Sequence, residues 1–550
     1  MQLYKNYVGK EYDNWRDFIE HYTVSVPENF NFVRDVIDVY AKQSPEQLAL
    51  LWCDDNGGEE YFSFARLAQQ ANLCAAALQR RGIKKGDRIL SILRQRYEYW
   101  ILLLACHKLG AVIIPANYML MEKDIIYRLE ASDAVGVVCL ATGEVAAEMD
   151  KALTKCPKVA LRICVAGRRD GWLNWDDAMA ATTPVDIEVT TQNDDPLLIY
   201  FTSGTEGQPK MVLHDMTYPL GHLATGVYWH QLADDDIHLT WADSGWAKCS
   251  WGKSYGQWLA GACNFVYDVE KVDYKKVLTV MAKYRITSFC APPTMFRFMI
   301  KEDMAKYDLS ALRHGSTAGE ALNPSVLDEF LAATGVTLRE AFGQTETGVI
   351  LGHWLDMPVR VGTLGMPNPQ YRVGLLDPEG KPCEVGEEGE VCIAWDDKHP
   401  LGVLVEYFGD ADRTANAIHD GWYRTGDIAW CDEDGYYTFV GRSDDIIKSS
   451  GYRIGPFEVE SALTSHQAVT ECAITGVPHP DRGQVVKATI ILSAGYEPSP
   501  ELIKELQDYV KHTTAPYKYP RIIEFAKELP KTFSGKTKRK HIRETDAKEL

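Results

Sequence analysis

Glycines, small hydroxyl side chains and one lysine follow a short apolar run near residue 200. Residues 196–201 have the length and the aromatic and β-branched content of a buried strand. The loop behind them, TSGTEG, offers backbone N–H groups and hydroxyls without bulk, which suits a cradle for anionic oxygens. The spacing departs from the P-loop pattern, and Pro209 has no N–H to donate, so an ordinary turn remains the alternative. The candidate loop residues are Thr202, Ser203, Gly204, Thr205, Glu206, Gly207 and Lys210.

A second group of functional side chains stands behind another predicted strand, residues 338–342. In the stretch EAFGQTET, Gln344, Thr345 and Glu346 should lie at the carboxyl end of that strand, where parallel α/β sheets bind their ligands. A carboxylate beside phosphate oxygens is a candidate ligand for Mg²⁺. An exposed polar turn is the alternative for this motif taken alone.

Two further motifs carry residues suited to nucleotide chemistry. Asp427, at the end of YRTGD, can accept both hydroxyls of a ribose, although the motif taken alone favours a β-turn. Lys536 follows Ser534-Gly535, a flexible turn that can present its amine to a partner surface. The basic run after it (Lys538, Arg539 and Lys540) is expected to be solvated.

The elements that must position these residues alternate between strand and helix. Residues 88–93, 98–109, 111–115 and 136–139 read as β, α, β and β, and residues 314–318, 323–334 and 338–342 repeat the βαβ pattern. A small α+β module follows, with strands at 469–475 and 485–492 and a helix that Ser499 caps before Pro500. We therefore predict an α/β protein with a large N-terminal domain of several sheets flanked by helices, residues 1–443. A small mobile α+β C-terminal domain, residues 444–550, completes it.

Composition narrows the class of protein. The 550 residues suggest two or more domains, and 58 basic against 77 acidic residues give a net charge of −19. That charge argues against nucleic-acid partners and against anionic membranes. We find no apolar run long enough for an integral membrane segment, no signal peptide, and no C-x-x-C pair among 13 cysteines. A reduced, cytoplasmic setting is the prediction.

Six motifs together resemble a known family. TSGTEGQPK, GEALNPS, AFGQTETG, YRTGD, GRSDDIIKSSGYRI and PKTFSGK occur in the order found in acyl-CoA synthetases of the adenylate-forming superfamily. The resemblance runs from about Arg88 to Lys540, and DSGWAKCSWGKSYGQW looks closest to the medium-chain acyl-CoA synthetases. It favours phosphate binding over the turn for the first loop. It implies ATP, Mg²⁺ and coenzyme A as cofactors and a carboxylic acid as substrate.

The resemblance also implies roles for single positions. The loop at 202–207, with Lys210, would surround the β- and γ-phosphates, and Thr345 and Glu346 would serve the α-phosphate and magnesium. Lys536 would bridge the carboxylate and the α-phosphate, and Asp444 would be the hinge. The positions implied to contact adenine, ribose or coenzyme A are Gly319, Glu320, Ala321, Glu340, Phe342, Asp427, Arg442, Gly451 and Arg453.

The acyl pocket is predicted from small and aromatic residues. Acetate-specific relatives carry a tryptophan where this chain has Gly343, so the missing indole is expected to leave room for several methylenes. Ala318 is also small, and Trp246, Lys248 and Trp251 are expected to line or approach the cavity. A medium-chain, short or branched acid is therefore the predicted substrate.

Other functions stay open on the sequence alone. An aryl-CoA ligase or an enzyme that loads a carrier protein would keep the fold, and a silent nucleotide-binding module would lack the chemistry. A homo-oligomer is a further possibility. The context Pro530-x-x-x-x-Gly535-Lys536 resembles sites of lysine acetylation in this family, which allows an acetyltransferase acting on Lys536.

Overall fold

A computed structural model describes residues 1–202, 208–320, 322–396, 399–450, 452–531 and 537–549. Within these ranges four sheets form, three in the large N-terminal part and one in the C-terminal part. The predicted fold class is confirmed. The two largest sheets consist mostly of parallel strands, which matches the prediction of buried βαβ units.

The largest sheet in the described part of the chain has nine strands. Its strands β12, β13 and β14 run parallel, and β14 leads into the antiparallel β15. In spatial order the strands are β16 (Met366–Pro367), β15 (Val349–Gly352), β14 (Leu338–Gly343), β13 (His314–Ala318), β12 (Ser288–Ala291), β10 (Ile237–Thr240), β11 (Cys263–Asp268), β1 (Leu48–Asp54) and β2 (Glu59–Ser63).

A second sheet holds eight strands in the same described ranges. The predicted strand before the glycine loop is β8, which runs antiparallel to β9. In spatial order the strands are β19 (Glu406–Tyr407), β9 (Lys210–Asp215), β8 (Pro196–Thr202), β4 (Val112–Pro115), β3 (Arg88–Ile92), β5 (Gly136–Leu140), β6 (Leu161–Val165) and β7 (Leu173–Asn174).

The remaining two sheets are smaller and largely antiparallel. One comprises β17 (Val373–Leu376), β18 (Gly389–Ala394), β21 (Trp422–Cys431), β20 (Ile418–His419) and β22 (Tyr437–Arg442). The C-terminal sheet comprises β24 (Tyr452–Ile454), β23 (Ile447–Ser449), β26 (Gly483–Leu492), β25 (Val469–His479) and β27 (Ile522–Phe525).

Helices cover the faces of these sheets. Helix α4 is buried along its whole length between the two large sheets, which explains its apolar sequence. The helices are α1 (Trp15–His21), α2 (Asp38–Gln43), α3 (Phe64–Gln79), α4 (Glu98–Leu109), α5 (Glu122–Ala131), α6 (Glu144–Lys155), α7 (Trp175–Ala180), α8 (Tyr218–Gly221), α9 (Ala247–Gly252), α10 (Tyr255–Ala260), α11 (Tyr274–Lys283), α12 (Pro293–Met299), α13 (Pro324–Thr334), α14 (Ala411–Ala417), α15 (Pro456–Thr464), α16 (Pro500–Thr513) and α17 (Arg539–Glu549).

Local signals explain where several helices begin. The Asn323 side chain accepts the Ser325 N–H at the start of α13, and the Ser499 hydroxyl accepts the Leu502 N–H at the start of α16, with Pro next in both helices. Helices α15 and α16 pack on the C-terminal sheet around Leu463, Val486 and Leu506, which form a separate apolar core. A domain boundary at 443 and a hinge at Asp444 remain predictions.

Among the described residues, contacts between the C-terminal part and the large part include a ring pair and a hydrogen bond. The Phe439 ring on β22 meets the Phe457 ring on α15 edge-on, with 5.2 Å between centroids. The Arg297 guanidinium donates to the Thr470 carbonyl oxygen at 3.1 Å. No helix of the described residues is long and apolar enough to cross a bilayer.

Candidate active site

The candidate phosphate loop sits between two paired strands. Thr202, the last residue of β8, lies opposite Lys210, the first residue of β9, so the two strands hold both ends of the loop together. Ser203, Gly204, Thr205, Glu206 and Gly207 lie outside the described residues. The Lys210 ammonium stands over the Tyr407 ring, 5.0 Å from its centroid. Burial lowers the pKa of Lys210, and the Glu346 carboxylate opposes that effect.

The Glu346 carboxylate is oriented by a tyrosine that the sequence analysis did not identify. The Tyr407 hydroxyl donates to Glu346 Oε1 at 2.9 Å, and the Leu404 N–H donates to the Glu346 carbonyl oxygen at 2.6 Å. Burial and the adjacent carboxylate raise the pKa of Tyr407, so its hydroxyl keeps its proton and acts as the donor. Tyr407 therefore contacts both the predicted metal ligand and the lysine of the phosphate loop.

Thr345, next to Glu346, is held through its backbone. The His214 ring nitrogen Nε2 is 2.9 Å from the Thr345 carbonyl oxygen. Burial lowers the pKa of His214 to about 4, so the imidazole is neutral near pH 7. A neutral imidazole with its proton on Nε2 donates to this carbonyl and fixes the turn that follows β14.

Gln344 connects the same turn to the predicted ribose site. Its side-chain amide donates to the Asp427 carboxylate at 2.5 Å and to the Thr425 carbonyl oxygen at 2.8 Å. The Tyr423 hydroxyl donates to Gln344 Oε1 at 2.8 Å, which fixes the orientation of the amide. Asp427 is buried and lies opposite Arg442 in the pairing of β21 with β22. The structure thus brings together Gln344, Asp427 and Arg442.

The positions implied to contact adenine lie on and behind β13 and β14. Gly319 has a φ of 101°, which favours glycine, and the Glu320 carboxylate accepts the Thr294 hydroxyl at 2.6 Å. Glu340 is buried on β14, and burial raises its pKa to about 8. The centroid of the Phe342 ring is 5.8 Å from the centroid of the Phe439 ring. Ala321 lies outside the described residues.

The predicted acyl-pocket residues are near one another, but the space beside Gly343 is filled. A Cβ at position 343 would lie 2.7 Å from Cη2 of Trp251 and 2.2 Å from the Gly348 carbonyl oxygen. A side chain at position 343 would therefore meet the Trp251 ring and the Gly348 backbone, and room for several methylenes of an acid in place of the missing indole remains a prediction.

Lys248 and Trp246 lie at the start of α9. Trp246 is the residue before the helix and is half-buried. The Lys248 ammonium donates to the carbonyl oxygen of Ala318 at 3.0 Å, which fixes the end of β13. At least one N–H of this amine is thus directed at protein backbone. Ala318 itself is buried, as expected of a small wall residue.

The C-terminal candidates are described only in part. Gly451 and Lys536 lie outside the described residues, and of Arg453 the structure describes only the backbone, in β24 opposite Lys448. Asp444 is exposed, and its carboxylate pairs with the Arg442 guanidinium at 3.2 Å. Arg539, expected to be solvated, instead forms ion pairs with Glu460 and Asp445. That expectation is wrong for Arg539.

The residues present fit a magnesium ion bound together with phosphate. Glu346 offers one oriented, buried carboxylate next to a lysine, and Mg²⁺ is commonly held by one or two carboxylates plus phosphate oxygens. The described residues contain no group of three or more His, Cys, Asp or Glu side chains that could hold a metal without such oxygens. All 13 cysteines lie in the described residues, and none forms a disulfide.

Three residues that orient the site were not identified from the sequence, and for the same reason. His214, Tyr407 and Tyr423 lie on strands and are buried, so in the sequence they look like ordinary core residues. Tyr423 even begins the YRTGD motif, but its contact with Gln344, 79 positions away, exists only in the fold. Only a repeated polar-aromatic pattern at the strand ends would have indicated them.

Comparison with known protein families covers both parts of the chain. A model described as AMP-binding enzyme matches residues 37–396, and one described as AMP-binding enzyme C-terminal domain matches residues 458–536. The chain is similar to acyl-coenzyme A synthetase ACSM3, mitochondrial, of Mus musculus, with 38% identity over 99% of this chain and 96% of that protein. It is 41% identical to acyl-coenzyme A synthetase ACSM5, mitochondrial, of Homo sapiens, over 94% of this chain and 91% of that one.

Solved structures give the same grouping. An anthranilate CoA ligase, AuaEII, in complex with anthranoyl-AMP superposes with a TM-score of 0.87 at 27% identity, covering 96% of this chain and 99% of that chain. An acyl-CoA synthetase of Brucella canis gives a TM-score of 0.74 at 31% identity, covering 98% and 99%.

Proposed function

This chain belongs to the AMP-binding enzyme family, and we infer that it is an AMP-forming ligase that joins a carboxylic acid to coenzyme A. The observation that carries this function is the group formed by Glu346, Tyr407, Lys210 and Asp427 around one turn. It places a candidate metal carboxylate, a phosphate-loop cation and a candidate ribose acceptor next to each other. The relatives over nearly the whole chain are named acyl-coenzyme A synthetases.

The first half-reaction activates the acid. A carboxylate oxygen attacks the α-phosphorus of ATP, the bond from that phosphorus to the bridging oxygen breaks, and diphosphate leaves with the electron pair. Two anions must meet, so positive charge is needed where negative charge develops. Lys210 supplies charge at the loop, Glu346 would hold magnesium, and we assign Lys536 to the carboxylate and the α-phosphate. Magnesium, when bound, neutralises phosphate charge.

The second half-reaction makes the thioester. The coenzyme A thiol gives up its proton and attacks the acyl carbon, and AMP leaves with the electrons of the broken carbon–oxygen bond. We assign Gly451 and Arg453 to this step and Lys536 to the first, with Asp444 as the hinge between them. Both sets lie in the C-terminal part of the chain, so a rotation would exchange them at one active site.

The acid that we propose is a medium-chain, short or branched fatty acid. The Trp251 ring lies beside Gly343, with its Cη2 2.7 Å from where a Cβ at position 343 would be, and we propose that this ring, together with the small Gly343, sets the length of the acyl pocket. An aryl acid is the second candidate, because the anthranilate ligase superposes over nearly the whole chain. The compartment remains a prediction: cytoplasmic from the sequence, whereas the relatives are named mitochondrial. A homo-oligomer and acetylation of Lys536 remain proposals.

A panel of acids with ATP, Mg²⁺ and coenzyme A tests the function. AMP formation should require both an acid and coenzyme A, with butyrate to octanoate faster than acetate and benzoate. Faster turnover of benzoate would favour the aryl-CoA ligase. Release of diphosphate without coenzyme A-dependent thioester would favour loading of a carrier protein. Binding of ATP with no release of diphosphate for any acid would leave a silent nucleotide-binding module.

A further inference from the structure

Four charged side chains of the C-terminal part form one ion-pair network, which we call the hinge–tail network: Asp445, Glu460, Arg539 and Arg543. The Arg539 guanidinium donates to both carboxylate oxygens of Glu460, at 3.1 and 2.6 Å. The Asp445 carboxylate accepts a hydrogen bond from the Arg543 guanidinium at 2.5 Å and pairs with the Arg539 guanidinium at 3.5 Å. Only 13% of the Asp445 side chain and 16% of the Glu460 side chain are exposed, so the pairs are largely shielded from water.

The network is tied into the C-terminal sheet. Glu460 lies on α15, and its Oε1 also accepts the Ile474 N–H of β25 at 2.9 Å. Burial raises the pKa of Glu460 and its pairing with Arg539 opposes this. Helix α17, which carries Arg539 and Arg543, is anchored again further on, where Lys487 of β26 pairs with Asp546 at 2.5 Å. Both pairs fix α17 against the sheet.

The network joins two places that the proposed mechanism uses. Asp445 directly follows the proposed hinge residue Asp444, and Arg539 stands three positions after Lys536. The described residues on either side of 532–536 contact each other: Lys531 pairs with Thr537 in a β-bridge, and the Lys538 N–H donates to the Pro530 carbonyl oxygen at 2.8 Å. A direct salt link therefore runs from the hinge to the base of the segment that carries the catalytic lysine.

We propose that Asp445 and Arg543, together with Arg539 and Glu460, are positioning residues that make the Lys536 segment turn with the hinge. A rotation at Asp444 moves Asp445 first, and the ion pairs carry that movement to α17 and to the chain before it. Without these ion pairs the C-terminal sheet would still rotate about the hinge, but Lys536 would reach the acid and the α-phosphate less often. This inference rests on the proposed function.

The half-reactions separate this role from a structural one. In Arg543→Gln we expect acid-dependent diphosphate release to fall at least tenfold, while thioester formation from supplied acyl-AMP and coenzyme A stays within about twofold. Arg543→Lys, which keeps the charge, should recover part of the loss. Asp445→Asn should reduce diphosphate release at least as much as Arg543→Gln, because Asp445 also pairs with Arg539, and the double variant should be no slower than Asp445→Asn, which already lacks the Asp445–Arg543 pair.

A matched control breaks another ion pair of the same part of the chain. Lys518 pairs with Glu458 at 2.5 Å and has no link to the network, so Lys518→Gln should leave the ratio of the two half-reactions unchanged. Thermal unfolding of each variant identifies loss of folding. Equal loss of both half-reactions in Arg543→Gln and Asp445→Asn, or loss of neither, would overturn the inference. If the wild-type chain releases no diphosphate with any acid, the proposed function itself fails.

Discussion

Each functional residue of the turn after β14 is fixed by a partner from a different strand. His214 of β9 holds the Thr345 backbone, Tyr407 of β19 holds the Glu346 carboxylate, and Tyr423 of β21 holds Gln344. Because the partners come from two other sheets, the turn is oriented before any ligand binds. Preorganised groups of this kind lose little free energy to reorganisation when charge develops in the reaction.

Tyr407→Phe tests the orientation of Glu346. The variant removes one hydrogen bond to a carboxylate, worth about 1.5–3 kcal/mol, and leaves the ring under Lys210 in place. We expect the Mg²⁺ concentration for half-maximal diphosphate release to rise about tenfold or more. Tyr436→Phe is the control, since its hydroxyl donates to the Pro358 carbonyl oxygen and has no contact with Glu346. An unchanged Mg²⁺ requirement in Tyr407→Phe would contradict this role.

Glu340→Gln tests the consequence of burying a carboxyl on β14. The pKa of Glu340 rises from an ordinary 4.5 to about 8, so between these values the folded chain holds a proton that the unfolded chain has lost. Stability therefore falls as the pH rises through this window, by at most about 1.4 kcal/mol per pH unit. The glutamine cannot ionise, so the Glu340→Gln variant lacks this loss of stability. The melting temperature of the variant minus that of wild type should therefore be larger at pH 9 than at pH 6.

An exposed carboxylate provides the comparison for that experiment. Glu329 lies on the solvent side of α13, and Glu329→Gln should show the same melting temperature difference from wild type at both pH values. Measurements without nucleotide avoid any contribution of adenine to the titration. If the melting temperatures of Glu340→Gln and wild type change in parallel from pH 6 to pH 9, the buried carboxyl does not titrate in this range.

Short motifs identify some residues of this site from the sequence, but not the residues that orient them. Thr345, Glu346 and Asp427 were found because their motifs are short and follow apolar strands. Tyr407 and His214 were not found, because their partners are 61 and 131 positions away. Arg539 was misread as solvated because its partners Glu460 and Asp445 precede it by 79 and 94 positions. Contacts over such separations depend on the fold and leave no local pattern.

At the scale of elements, helix α9 and strand β14 meet where the acyl pocket was predicted. The Trp251 ring of α9 reaches the backbone of Gly343, and only a residue without a Cβ permits this contact. The glycine is thus explained by the close approach of the Gly348 carbonyl oxygen and the Trp251 ring. The sequence contained both residues but could not show that they fit together.

Trp251→Ala should change the choice of acid. Removing the ring opens the space beside Gly343, and each further buried methylene of an acid gains about 0.8 kcal/mol, or about fourfold in kcat/KM. We therefore expect the ratio of decanoate to butyrate kcat/KM to rise at least tenfold. The control Trp172→Ala removes a half-buried tryptophan that bonds Asp150 and should leave the ratio unchanged. A constant ratio in Trp251→Ala would show that this ring does not limit the pocket.

Elements were predicted well where their pattern is local. Strands with uninterrupted apolar runs and helices with a polar cap followed by proline were predicted within a few residues, as at β8, α13 and α16. The order of strands in the sheets was not predictable. Strand β19, two residues long, pairs with β9 almost 200 positions earlier, and this pairing is what delivers Tyr407 to the site.

At the scale of the whole molecule, one chain must stabilise two different arrangements of charge. Adenylation needs an amine beside the α-phosphate, and thioester formation needs a path for a thiol to the acyl carbon. A site that held the amine permanently would obstruct the second step. In the mechanism that we propose, Lys536 and Gly451, 85 positions apart in the sequence, serve different steps, and a single movement of the C-terminal part would withdraw one and deliver the other.

Lys536→Ala tests this division directly. Loss of the amine leaves the carboxylate and the α-phosphate without a shared cation, so we expect acid-dependent diphosphate release to fall at least a hundredfold. Thioester formation from supplied acyl-AMP should stay within a few-fold, because that step does not use the amine. Lys531→Ala is the matched control on the same segment, since Lys531 pairs with Glu471 at the surface and both half-reactions should persist. An equal loss of both half-reactions in Lys536→Ala would mean that one arrangement of the two parts serves both steps.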